Sequence, residues 1–270
     1  MTTQIRTTCA LFTGVLLMSA TLPGTAFAVD GQNAITQARA MAGGVTPGDA
    51  PGFPVSITQP GSYVLSGNLT VPDANTNAIV IDASHVTIDL NGFAILGPVD
   101  CSAGVDPCAG FGSGNGISTT SVQFNITIRN GTIQGMGRFG INLKGDEHLV
   151  EYLHVRSNGG SGIEISASAD SGSSIAQYNT AQRNGGRGIG VERGMVRNSV
   201  ADVNASHGVS IAFGSASNNV STRNEIGLVV QEGASYFGNV LSGNGTAVIG
   251  GGTNLGQNLC GTVVCPGAVF

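Results

Sequence analysis

NGGRGIGVERGMVRNSVADVNASHGVSI, residues 184–211, holds one unit of a repeat and the opening of the next. Asn184 is answered 20 residues later by Asn204, and Gly188-Ile189 by Gly208-Val209. Working outward, the Gly-apolar pair recurs at Gly116-Ile117, Gly140-Ile141, Gly162-Ile163 and Gly227-Leu228. The Asn recurs as Asn158, Asn184, Asn204, Asn224 and Asn244, the last four spaced by 20 residues. A period near 20, made of short strands and Gly/Asn turns, predicts a stacked β-coil in which each unit buries its apolar side only against its neighbours.

Alignment on the Gly anchors gives the pleat. Ile141/Leu143, Ile163/Ile165, Ile189/Val191, Val209/Ile211 and Leu228/Val230 fall on one side, and Asn142, Glu164, Gly190, Ser210 and Val229 on the other. Coils about 4.8 Å apart bring each column into register. The Ile, Val and Leu columns then fill an interior. The Asn column suits a ladder of side-chain amides, each able to donate to one neighbour and accept from another. A second polar column, Asn179, Ser199, Asn219 and Asn239, precedes it by five residues. The sequons at Asn204 and Asn219 fall in these columns and read as ladder positions rather than glycan sites.

The repeat reaches into the first half of the chain. Residues 62–65, 68–71, 78–81, 86–90 and 94–96 read as strands bounded by Gly, Pro, Asn or Asp. VTIDLNGFAILG at 86–97 parallels ITIRNGTIQG at 126–135. Residues 33–42 read as a short helix with Asn33 as N-cap, covering the end of the stack, and 45–54 as a Pro/Gly linker.

Residues 1–28 have the form of a signal peptide: Arg6, an apolar stretch too short for a convincing membrane span, and Ala26-Phe27-Ala28. Its removal predicts a secreted or periplasmic chain with no membrane span. Of the five cysteines, Cys9 leaves with the signal. Cys101/Cys108 and Cys260/Cys265 remain as two close pairs in an oxidising compartment, and two local disulfides are the simplest of three connectivities. The first pair staples a loop at 97–115, and the second a C-terminal cap at 251–270. The signal carries Arg6 and no acid, so the net charge of −5 becomes −6. That excludes a basic nucleic-acid stripe and disfavours anionic membranes.

Asn-x4-Asn turns with Gly-apolar-x-apolar strands over 60–250 resemble the right-handed parallel β-helix proteins of the pectate-lyase-like superfamily. These include pectate lyases, polygalacturonases, alginate C5-epimerases and phage tailspike cores. The resemblance implies a single all-β solenoid domain over 55–250, capped by residues 29–54, with roughly eight to ten coils. It also implies binding or modification of a polysaccharide along the outer face. The densest polar stretch is Lys144, Asp146, Glu147, His148, Glu151, His154 and Arg156, with Glu164 and Glu192 outward on later coils. In the lyase reading that the resemblance implies, Asp146, Glu164 and Glu192 hold substrate or Ca²⁺, and Lys144 or Arg156 removes the sugar's C5 proton, with Arg183 and Arg187 as further candidates. The bland reading is a solvated turn with weak surface pairs. Ser206-His207-Gly208 echoes a polygalacturonase strand, but the paired carboxylates of a hydrolase are missing. His207 reads instead as the variable residue before the anchor Gly, His154 as an inward-facing column position, and His85 as an exposed turn. The rival class is a non-catalytic structural or adhesive scaffold. Low aromatic content, 5%, favours that rival, since sugar-binding surfaces lean on aromatic rings.

Overall fold

In the computed structural model, residues 31–101, 112–168 and 172–266 are described. The chain winds into a solenoid whose coils present three strands each, joined in parallel to the coils before and after. Along the first face nine rungs stack in register through Val55, Ile79, Ile117, Ile141, Ile163, Ile189, Val209, Leu228 and Val248. All but Val248 are buried. On the second face Ile88, Ile128, Val150, Ala176, Val196 and Ala216 point inward, and on the third Ile95, Ile133, Val155, Ala181, Ala201 and Leu241. The Gly-anchored columns therefore form the first wall of a continuous core.

The corners are made by single residues in the left-handed region. Tyr152, Tyr178, Asn198 and Asn218 turn the second face into the third, and Ser157, Arg183, Val203 and Arg223 lead from the third back toward the first. A buried Asn follows most of these turns. Asn158 Nδ2 donates to Asn184 Oδ1 at 2.9 Å, Asn184 to Asn204 at 2.9 Å, Asn204 to Asn224 at 3.0 Å and Asn224 to Asn244 at 3.1 Å. The second ladder runs Asn219 to Asn239 at 3.0 Å and on to Asn258 at 2.9 Å. Asn204 and Asn219 are buried inside these ladders. Beyond Asn158 the ladder amides also donate to a backbone carbonyl, as Asn204 does to Ala181 at 3.1 Å. Buried amides are tolerated because both ends are paired.

Two expectations are adjusted. The helix spans Gln37–Ala42 with Thr36 as N-cap, and Gln32–Ile35 is a strand pairing with Gly61–Leu65. Ile35 is fully buried there, so the same apolar spacing serves a strand. Residues 45–54, expected as a linker, close the first coil through Asp49, which accepts from Val45 N at 2.9 Å and Ser56 N at 2.7 Å. Cys260 and Cys265 are joined. Cys101 is disulfide-bonded, while Cys108, its expected partner, lies outside the described residues. So does the proposed signal peptide. Among the described residues no helix is long and apolar enough to cross a membrane.

Candidate functional site

The outward positions of the first face gather polar and charged side chains on neighbouring coils. Asn142, Glu164, Gly190, Ser210 and Val229 form one outward column, and Lys144 stands beside Ser166 in the next. The position before each anchor Gly adds Ser161, Arg187 and His207. A cleft of about 220 Å³ opens over these coils, lined by Glu164, Ser166, Arg187, Gly190, Glu192, Ser210, Phe213 and Gln231 among others.

Glu164 organises the cleft. Arg187 Nη1 donates to its Oε1 at 2.7 Å. Burial pushes its carboxyl up, while the charge and hydrogen bond of Arg187 and a Ser161 hydrogen bond pull it down; the Glu192 carboxylate pushes it up again. Its neighbour on the next coil is small: a methyl at Gly190 would stand 2.9 Å from Glu164 Oε2 and press on the carboxylate. Glu192 is exposed, and one of its oxygens accepts from Ala167 N at 3.0 Å. Phe213 is 47% exposed, with the Arg193 guanidinium 5.2 Å from its ring centre. His207 lies just outside the lining. Burial, then the Arg187 charge, lower its pKa, with Glu225 opposing, and its buried Nδ1 has no hydrogen-bond partner among the described residues.

The structure brings together only part of the expected set. Glu164 and Glu192 share the cleft, and Lys144 is exposed one coil away in register with Ser166. Arg156 projects from the third face, where its Nε donates to Gln134 at 2.9 Å. Asp146 is not in the groove. Gly145, at φ 122, bends the chain from the first face into the second, and a side chain there would strike Gln123 O. Asp146 stands in register with the exposed Phe124, yet it is buried beneath Ser168 and Gly172: it accepts from Ser168 Oγ, and a methyl at Gly172 would strike its Cβ. His148 is buried beside it, in the inward place that Ile126 fills one coil earlier. Its Nδ1 accepts from Ile126 N at 3.3 Å, so the ring proton sits on Nε2. That nitrogen is thereby a donor and not a metal ligand. Ser168 bonds the Asp rather than the His, so these three do not form an activated nucleophile.

His154, expected to look inward, is exposed; Val155 beside it takes the inward place. His85 is in an exposed left-handed turn against Asn125. Arg187 and Phe213, which complete the cleft, were weakly legible: Arg187 as one of several candidate bases, Phe213 not at all. Calcium is poorly served. Among the described residues no three His, Cys, Asp or Glu side chains converge as a metal set. Glu164 is already engaged by Arg187, and Ca²⁺ takes about six to eight oxygens.

A search of curated proteins returns no match. Among solved structures the chain is similar to two Azotobacter vinelandii modules. For the mannuronan C-5 epimerase AlgE4 A-module, identity is 16% and the TM-score 0.46, over 81% of this chain and 68% of that one. For the AlgE6 A-module, identity is 14% and the TM-score 0.47, over 83% and 69%. The profile of the family described as "Right handed beta helix region" matches residues 55–226. That match spans well over half of the chain and coincides with the stacked coils, so the protein belongs to the right-handed beta helix family.

Proposed function

We propose that this protein binds a polysaccharide along its first face, with the Glu164–Arg187–Glu192 cleft as the main subsite. The supporting observation is the convergence of two carboxylates, a guanidinium, two Ser hydroxyls, the Gln231 amide and the Phe213 ring in one open cleft. Sugars are recognised by this mixture: hydroxyls pair with carboxylates and amides, and the apolar C–H flank of the sugar packs on an aromatic face. The volume, about 220 Å³, is below the 300–1,000 Å³ usual for a drug-sized ligand, so the cleft suits one unit of a longer chain. The remaining units would lie over the neighbouring coils, held on rigid strands.

Binding without turnover is the reading that the pairings favour. A proton-abstracting base must reach the sugar carbon in the cleft. Arg187 is held by Glu164, and Arg156 stands on another face. Lys144 is the expected base left on the first face, one coil from Ser166. Export and the exact sugar belong to the same proposal: the Ala26-Phe27-Ala28 site and the oxidised Cys260–Cys265 pair support a chain that works outside the cytoplasm.

The test is calorimetric titration with alginate, polygalacturonate and a neutral glucan, each with and without calcium. Ultraviolet absorbance is followed in parallel for unsaturated uronate products. Saturable binding to at least one polymer, weakened about tenfold in each of Glu192→Ala and Phe213→Ala and without absorbance gain, is expected. Absorbance gain abolished in Lys144→Ala would replace binding by lyase chemistry. No binding to any polymer would leave a plain scaffold.

A further inference from the structure

The corner between the second and third faces is one column of left-handed residues. Asn130, Tyr152, Tyr178, Asn198 and Asn218 occupy it on successive coils, with φ between 51 and 59, and Gly238 continues it. Asn and Gly enter this backbone region at least cost, whereas a bulky side chain there is an outlier. Two outliers, Tyr152 and Tyr178, stand on adjacent coils at φ 55 and 56. Strain held at such positions points to a use of the side chain.

The two rings lie 5.1 Å apart and 7° from parallel. Stacking explains part of their presence, since offset aromatic rings attract. Their exposure is the further observation. The chain has four tyrosines and no tryptophan. Tyr63 and Tyr236 are buried, at 1% and 7% exposed, while Tyr152 and Tyr178 are 53% and 46% exposed. The two phenols open to solvent are therefore the two that face each other. No indole competes for an oxidising equivalent, and Cys101, Cys260 and Cys265 are already disulfide-bonded.

We propose that Tyr152 and Tyr178 form an oxidative modification site, at which a haem peroxidase with hydrogen peroxide couples them as dityrosine. The oxidant takes one electron and one proton from each phenol O–H, and the peroxide leaves as two waters. The two phenoxyl radicals join through the ring carbons ortho to their oxygens. The hydrogen on each of those carbons then moves to oxygen, which restores two phenols, and the chain has lost two hydrogen atoms in all. The rings tilt together to make the bond, and their exposed edges leave room for it. The product ties one coil to the next and closes a loop that contains the Glu164 strand, Ile163–Ser166. A cross-link of this kind restricts the unfolded chain.

The test treats the full chain, disulfides oxidised and at low concentration, with a haem peroxidase and hydrogen peroxide. Dityrosine fluorescence, intact mass and peptide mapping are followed. The expected product is a monomer lighter by two hydrogens, with one cross-linked peptide joining residues 152 and 178 and a raised urea midpoint. Tyr152→Phe and Tyr178→Phe, which keep the stacked rings, are each expected to abolish the fluorescence. Absence of dityrosine overturns the proposal, as does fluorescence that survives in either variant or cross-linking that doubles the mass. Coupling as fast in the urea-unfolded chain as in the folded one, or an unchanged urea midpoint, also counts against it.

Discussion

Glu164 on the first face and Glu151 on the second are both flanked by polar neighbours, yet their surroundings differ. On the second face the side chains bind one another up and down the stack. Gln177 donates to Glu151 at 2.7 Å, Arg197 donates to Gln177 at 2.9 Å, and Arg129 pairs with Asp89 at 3.0 Å. Tyr152 and Tyr178 stack ring on ring, 5.1 Å apart and 7° from parallel. The third face repeats the habit with Arg156 on Gln134 and Arg223 on Asp202. On the first face Glu164 takes Arg187, but Ser166, Ser210 and Gln231 line the cleft with no side-chain partner among the described residues, and Lys144 has no ion pair there. A polar column that pairs along the axis is consumed by the fold. One that does not keeps its polar groups open. The charged stretch at 144–156, the strongest polar signal in the sequence, belongs mostly to the consumed class.

The largest expected effect is on a fully consumed column. Asn204→Ala removes the acceptor for Asn184 N and Nδ2 and two donations of its own, all buried. Urea unfolding should show a loss of about 3 kcal/mol, since buried partners are left unsatisfied. Next comes the cleft. Phe213→Ala and Glu192→Ala should each weaken polysaccharide binding about tenfold, roughly 1.4 kcal/mol, with little change in unfolding midpoint. A third comparison uses pH. Burial above all raises the Glu164 carboxyl over its ordinary 4.5. The folded state then holds that proton more tightly than the unfolded chain. Its contribution to stability is full below pH 4.5 and is lost as pH climbs through the raised value. Glu164→Gln should flatten that decline in unfolding midpoints taken from about pH 4 to 7. The smallest effect is on an exposed consumed pair: Arg129→Ala should cost about 0.5 kcal/mol or less and leave binding unchanged.

The repeat was legible because Gly anchors and ladder Asn are demanded by backbone and amide geometry that few residues satisfy. Facing was less legible wherever a corner intervenes. Val200, Val220 and Val240 suggested that His154's column looks inward, yet β-branched residues also suit the outer side of a strand. The inward place beside them is held by the small Ala181, Ala201 and Ser221. Asp146 was misplaced because Ser168 and Gly172 cover it, a contact between segments that no local pattern shows. Val203 occupies a left-handed corner that no propensity suggests for a β-branched residue. The cleft itself was half legible: outward carboxylates follow from the pleat, but the pairing of Arg187 with Glu164 joins residues 23 apart across neighbouring coils, and only the register shows it.

The most direct test of the account is amide hydrogen exchange of the protein with and without a bound polysaccharide. The account expects added protection at residues 163–166, 187–192 and 209–213, on the first face. Protection centred instead on 149–156 and 175–182, around the paired tyrosines and the charged stretch, would contradict it.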